Sequence, residues 1–132
     1  MNYAFENLEV WQKSRKLVKS VYQLTGAFPN EERFGLTSQL RRASISVSSN
    51  IAEGSTRWSR KDQARFYEIA FGSLIEVLNQ SILSNDLDFI QDDSLKSLRT
   101  EIDSIGRMLN SLHQSTQKPH NPSTKNSSNP KL

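Results

Sequence analysis

Arg42, Asn50, Glu53 and Glu76 are the residues whose types could carry acid–base chemistry in this chain. Glu53 and Glu76 offer a pair of carboxylates, Arg42 a fixed cation, and Asn50 an amide that both donates and accepts. Arg42, Ser46, Ser49, Asn50 and Glu53 recur at helical spacing, so they form one polar stripe along a helix. The same set has a structural use: an arginine, carboxylates and an amide can satisfy one another and fix helix register. That use is favoured, because nothing else that catalysis needs accompanies the carboxylates. Ser44, Ser46, Ser48 and Ser49 have no histidine in the folded body to activate them. The two histidines, His113 and His120, lie at or beyond the last helical pattern and make a poor metal pair. There is no cysteine to hold a soft metal or a disulfide, and no glycine-rich phosphate loop occurs. The expectation is a protein that is not an enzyme, with no cofactor and no metal, in which Arg42, Asn50, Glu53 and Glu76 form a structural polar network.

A second group points to anion binding. Arg57, Arg60, Lys61 and Arg65 follow the spacing i, i+3, i+4, i+8 around the start of a helix, beside Trp58. The helix macrodipole places partial positive charge there, which disfavours cations by a few tenths of a kcal/mol each. Four cations in such a place suggest an anionic partner, and the alternative is a solvated turn balanced by Asp62. Lys13, Arg15, Lys16 and Lys19 drift around the first helix and read as solvated surface. Trp11, Trp58, Phe5 and Phe66 could stack on exposed bases, but aromatic residues at helix ends more often anchor packing.

Four helices must position these groups. The first is expected over about residues 8 to 26, with Leu17, Val18, Val21 and Leu24 as its apolar stripe, Asn7 as cap, and Gly26 with Pro29 as stop. The second runs from about Leu36 to Glu53, with Leu36, Leu40, Ala43, Val47 and Ile51 on one face and Gly54 in a left-handed terminating position. Ser59 followed by Asp62 resembles a capping box and starts the third, which runs to about Ser84. In the fourth, Leu95, Leu98, Ile102, Ile105, Leu109 and Leu112 alternate spacings of three and four, the seam of near-antiparallel bundle packing. The fold class is all-α, an antiparallel up-down four-helix bundle over residues 1 to 112, followed by a disordered polar tail over residues 113 to 132 that carries three prolines.

The third helix is apolar on two sides. Ala64, Tyr67, Phe71, Leu74, Ile75, Leu78 and Ile82 form one stripe, assigned to the core. Phe66, Ile69, Ala70, Val77 and Leu87 form another, and Ile45 with Ala52 adds a minor apolar row on the second helix. A helix apolar around more than half its circumference needs a further cover. Ile69, Val77, Ile45 and Ala52 are therefore the expected contacts between copies, and Gly72 next to Ser73 would let another backbone come close.

Charge and composition fit this picture. The formal net charge is +3, and all 14 acidic residues precede His113, so the tail lysines Lys118, Lys125 and Lys131 account for the excess. Residues 1 to 65 hold 11 basic and 6 acidic residues, and residues 66 to 112 hold 3 and 8. Such asymmetry suits either phosphate contacts or complementary faces for self-assembly. No apolar run approaches the roughly 18 residues of a membrane span, and the start of the chain lacks the pattern of a signal peptide. No membrane contact and a cytoplasmic location are expected.

Three strings in order, FENLEVWQKSRKLV, FP-x-EERFGLTSQLRRAS-x-SV-x-SNIAEG and FYEIAFGSLIEV, resemble the small four-helix-bundle proteins encoded in intervening sequences of bacterial 23S ribosomal RNA genes. The resemblance covers roughly residues 4 to 112. It implies a homopentamer with a role around nucleic acid, RNA or DNA, and no enzymatic activity. A more distant similarity is to the accessory protein of diversity-generating retroelements, which implies as the alternative a protein-interaction subunit that binds a reverse transcriptase.

Overall fold

Helices α1 (Glu9–Thr25), α2 (Leu36–Ser55), α3 (Arg60–Asp86) and α4 (Asp92–Thr116) account for most of the residues, 1 to 118, described by the computed structural model. Among the described residues α1 packs against α2 and α4, and α3 packs against α2 and α4, with no diagonal contact. Consecutive helices joined by short turns and closed by α1 against α4 form an up-down bundle. No strand occurs among the described residues, and none of the helices is long and apolar enough to cross a membrane.

The core follows the helical periods read from α1, α2 and α4. Leu17 and Val21 of α1, Leu40, Ala43, Val47 and Ile51 of α2, and Leu98, Ile102, Ile105 and Leu109 of α4 are buried together. The α3–α4 turn is held by Asn85, whose Nδ2 donates to Ile90 O at 2.8 Å and to Asp92 Oδ1 at 2.9 Å. Asp88 takes a positive φ of 65° there, which a short polar side chain tolerates. Phe28 and Phe89 close that end with ring centroids 5.5 Å apart.

Four local expectations need correction. Asn7 does not cap α1: Leu8 occupies that position, and residues Ala4–Asn7 form a 3-10 turn that brings Phe5 edge-on to Trp11 at 4.9 Å. The expected capping box at α3 is observed only as the Ser59 half, in which Oγ accepts from Asp62 N at 3.1 Å. Helix α4 continues past Leu112 to Thr116, and the expected disordered tail falls from residue 119 onward outside the described residues. Gly54, finally, is not a left-handed terminator; it lies inside α2, and no glycine among the described residues has positive φ.

What Gly54 supplies is space. A Cβ there would lie 2.7 Å from Tyr67 Cε1 and 2.9 Å from Phe66 Cβ, atoms of α3 that cannot swing away. Gly54→Ala is expected to lower stability in urea unfolding, because overpacking costs about 1–3 kcal/mol and outweighs the roughly 1 kcal/mol that alanine gains in a helix. A stabilised variant would show that α2 and α3 can separate freely at this point.

Helix α3 is rotated relative to the expected phase. Its buried positions are Ala64, Tyr67, Ala70, Ser73, Leu74, Val77, Ser81 and Ser84, while Phe71 and Ile75, assigned above to the core, are exposed. Small residues set this phase. Ser73 faces α2, where its hydroxyl and that of Ser46 are 2.7 Å apart, and such side chains let two helices approach closely. The bulky apolar residues are left on the outside.

Candidate nucleic-acid interface

The turn between α2 and α3 is short because its backbone is bonded back onto α2: Thr56 N donates to Glu53 O at 3.2 Å and Arg57 N to Gly54 O at 3.1 Å. Gln63 Nε2 then donates to Arg57 O at 3.1 Å and ties the turn to the first turn of α3. This places Arg57, Arg60, Lys61 and Arg65, all exposed, around one end of the bundle. Arg57 and Arg65 converge on the same ring, with their guanidinium carbons 4.3 and 5.4 Å from the centroid of Phe66. Trp58 projects beside them with a relative exposure of 102%.

The four cations are not equivalent. Arg57 lies 3.7 Å from Glu53 Oε1, a loose pair between exposed side chains. Arg60 reaches across to the carbonyl of Lys118 at the end of α4. Phe66 holds Arg57 and Arg65 as a stacked pair rather than as free solvated chains, so two planar cations are presented in a fixed relation. Such a surface suits phosphate oxygens, and the ring of Trp58 suits an unpaired base.

The expected polar network does not close within the chain. Arg42 is exposed and its Nη2 donates to Gln39 Oε1 at 2.6 Å, one turn back on its own helix. Asn50 Nδ2 donates to Ser46 O at 2.8 Å and to Ser46 Oγ at 3.1 Å. Glu53 faces Arg57, and Glu76 is exposed on α3. What links α2 to α3 here is the neutral chain Asn50, Ser46 and Ser73, and the charged residues stay in water where they need no desolvation. An exposed i, i+4 pair is worth about 0.3–0.5 kcal/mol, so Glu53→Ala is expected to leave the melting temperature almost unchanged. A loss of several kcal/mol in thermal unfolding would mean that Glu53 is buried in the assembled protein.

The expected assembly residues divide as well. Ile69 and Ile45 are 43% and 42% exposed, Ala52 is half-buried, and Val77 is at 0%. Val77 is therefore a core residue of the protomer, since the rotation of α3 turns it inward together with Ala70. The exposed apolar residues of α3 are Ile69, Phe71, Ile75 and Leu83, spread over the outward half of the helix rather than along one row.

One pair had no signal in the sequence. His113 lies in the last turn of α4, and its Nε2 is 2.7 Å from Glu68 Oε2 on α3, beside a cleft bordered by Tyr67 and Phe71. Forty-five positions separate the two residues, so only the packing of α3 on α4 brings them together. Elsewhere, burial raises Glu101 above the usual carboxylate range, although Ser20 donates to it at 3.0 Å and Lys16 opposes the shift. No group of three or more metal-ligating side chains occurs among the described residues.

Comparison with known proteins gives a consistent picture. A family model described as 23S rRNA-intervening sequence protein matches residues 6 to 111. The crystal structure of a Bacteroides thetaiotaomicron protein with unknown function from the S23 ribosomal protein family has the same fold, with a TM-score of 0.74 and 24% sequence identity over 80% of this chain and 98% of that one. No curated protein matches the chain.

Proposed function

This chain belongs to the 23S rRNA-intervening sequence protein family, and on that premise we propose that it is a non-catalytic nucleic-acid-binding protein that works as a homo-oligomer. The observation that carries the reading is the α2–α3 turn, where the exposed Arg57, Arg60, Lys61 and Arg65 cluster in sequence with a fully exposed Trp58 and where Arg57 and Arg65 both stack on Phe66. Guanidiniums and an ammonium at one end of a bundle bind phosphates without reading bases, so the partner is RNA or DNA with little sequence preference. Self-association is supported by the exposed apolar residues of α3, Ile69, Phe71, Ile75 and Leu83, and by Ile45 on α2. Five copies, the number the resemblance implies, would place five such turns on one particle.

The test is a binding titration with labelled single-stranded RNA, by fluorescence anisotropy at low salt, on two altered proteins. Truncation after Lys118 removes Lys125 and Lys131 while keeping α4 and the carbonyl that Arg60 contacts. Arg60→Glu combined with Lys61→Glu reverses the cluster. The truncated protein should bind normally and the double variant should not, with the mass of the oligomer unchanged. Loss of binding on truncation alone would assign the contact to the tail lysines and remove the turn as the site.

A further inference from the structure

A second cationic site lies at the opposite end of α2. Between the end of α1 and the start of α2 there is an open cleft of about 370 Å³, lined by Arg33, Arg41 and Arg42 together with Tyr22, Thr37, Ser38 and Ile45. No carboxylate lines it, and none of the three arginines is ion-paired among the described residues. Glu32, the adjacent acid, is committed elsewhere: its Oε1 accepts from Leu36 N at 3.2 Å and so caps the helix.

The arginines are held in place without being neutralised. Arg41 Nε donates to Thr25 Oγ1 at 2.8 Å, and its guanidinium lies 4.4 Å from the ring centroid of Tyr22. Arg42 is bonded only to the neutral amide of Gln39. Arg33 stands 5.2 Å from the ring centroid of Phe34, and that ring is 85% exposed. Three guanidiniums with no carboxylate partner among the described residues match the oxygens of a phosphate, which accepts charge-assisted bonds from several directions. Phe34 does not line the cleft itself, but its exposed ring next to the Arg33 guanidinium supplies what a phosphate alone does not require, a face for a base.

We propose that this cleft binds one nucleotide unit of a single-stranded nucleic acid, with the phosphate on Arg33, Arg41 and Arg42 and the base on Phe34. The twenty residues of α2 span about 30 Å, so the cleft and the α2–α3 turn are separate sites, and this one stands whether or not the turn binds a polyanion.

Ligand-observed NMR on the full-length chain tests this, with AMP as the probe and inorganic phosphate as competitor. Wild-type protein should bind AMP and release it to phosphate. Arg33→Gln should weaken both ligands by about tenfold, the scale of one lost hydrogen-bonded charge. Phe34→Ala should weaken AMP by at least about fivefold and leave phosphate unchanged. Arg60→Glu with Lys61→Glu should change neither. Both arms use exposed side chains outside the core, and circular dichroism verifies that each variant is folded. The proposal is overturned if wild-type protein binds no AMP, if Phe34→Ala binds AMP as wild type does, or if reversal of the turn cluster abolishes AMP binding. It is also overturned if Arg33→Gln or Phe34→Ala dissociates the oligomer and leaves AMP affinity intact, since the cleft is then covered by a second copy.

Discussion

Binding of duplex DNA is expected to weaken by roughly 10³ to 10⁵ between 50 and 200 mM salt, the loss that accompanies release of counterions from six to ten phosphates. Each phosphate contributes a slope of about −0.9 for a duplex and about −0.7 for a single strand in a plot of log affinity against log salt. The slope also counts copies. One α2–α3 turn offers Arg57, Arg60, Lys61 and Arg65, of which Arg57 already leans on Glu53 and Arg60 on the Lys118 carbonyl. A single turn therefore cannot account for six contacts, and a duplex slope steeper than about −4 requires at least two copies on one polyanion. Arg60→Glu with Lys61→Glu should flatten the slope as well as lower affinity. A slope shallower than about −2, or one that this reversal leaves unchanged, would rule out the turn as the main phosphate contact.

The parts of the molecule that were legible in the sequence are those where one apolar period dominates. In α2 the row Leu40, Ala43, Val47 and Ile51, and in α4 the row Leu98, Ile102, Ile105 and Leu109, have polar residues opposite them, so only one phase buries them well. Helix α3 offers no such contrast. With Phe66, Ile69, Phe71, Leu74, Ile75 and Val77 distributed around it, large apolar residues exist for two phases, and the choice falls to the small ones. Ala70, Ser73, Ser81 and Ser84 fit against neighbouring helices, whereas Phe71 at Ser73's place would hold α2 away. Gly54 was misassigned for a related reason. A glycine near a helix end reads as a terminator, and its use as a contact point for Tyr67 becomes visible only when α3 is docked.

The candidate sites divide along the same line. The cations of the α2–α3 turn are close in sequence, so their clustering was readable, while the commitment of Arg60 to the end of α4 was not. Spacing placed Arg42, Asn50 and Glu53 on one stripe correctly, but a shared stripe does not create a closed network. Each found a nearer partner on α2 or in the following turn, in Gln39, Ser46 and Arg57. The cleft arginines were scattered over a loop and two faces of α2, and Arg33 reaches the others only because the chain bends at Phe28 and Gly35 before α2 begins.

Charge substitutions on α3 should separate the protomer core from the surface between copies, and the two outcomes differ in kind. Val77→Glu places a carboxylate where no water reaches, at a cost of several kcal/mol, and should abolish the helical circular-dichroism signal at ambient temperature. Ile69→Glu alters a side chain that is already 43% exposed, so the protomer should keep its helicity. If copies cover that face, the same glutamate must be desolvated on assembly, and light scattering should record a fall from the oligomeric mass to that of one chain. Gly72 provides an independent reading of the same surface. A Cβ there meets nothing within 4 Å in the protomer, so Gly72→Ala should stabilise an isolated chain by about 1 kcal/mol through helix propensity. Should another backbone approach at Gly72, that gain is replaced by a weakened assembly. Wild-type protein that scatters as a monomer at micromolar concentration would refute the self-associating reading, and Ile69→Glu would then have no effect on mass.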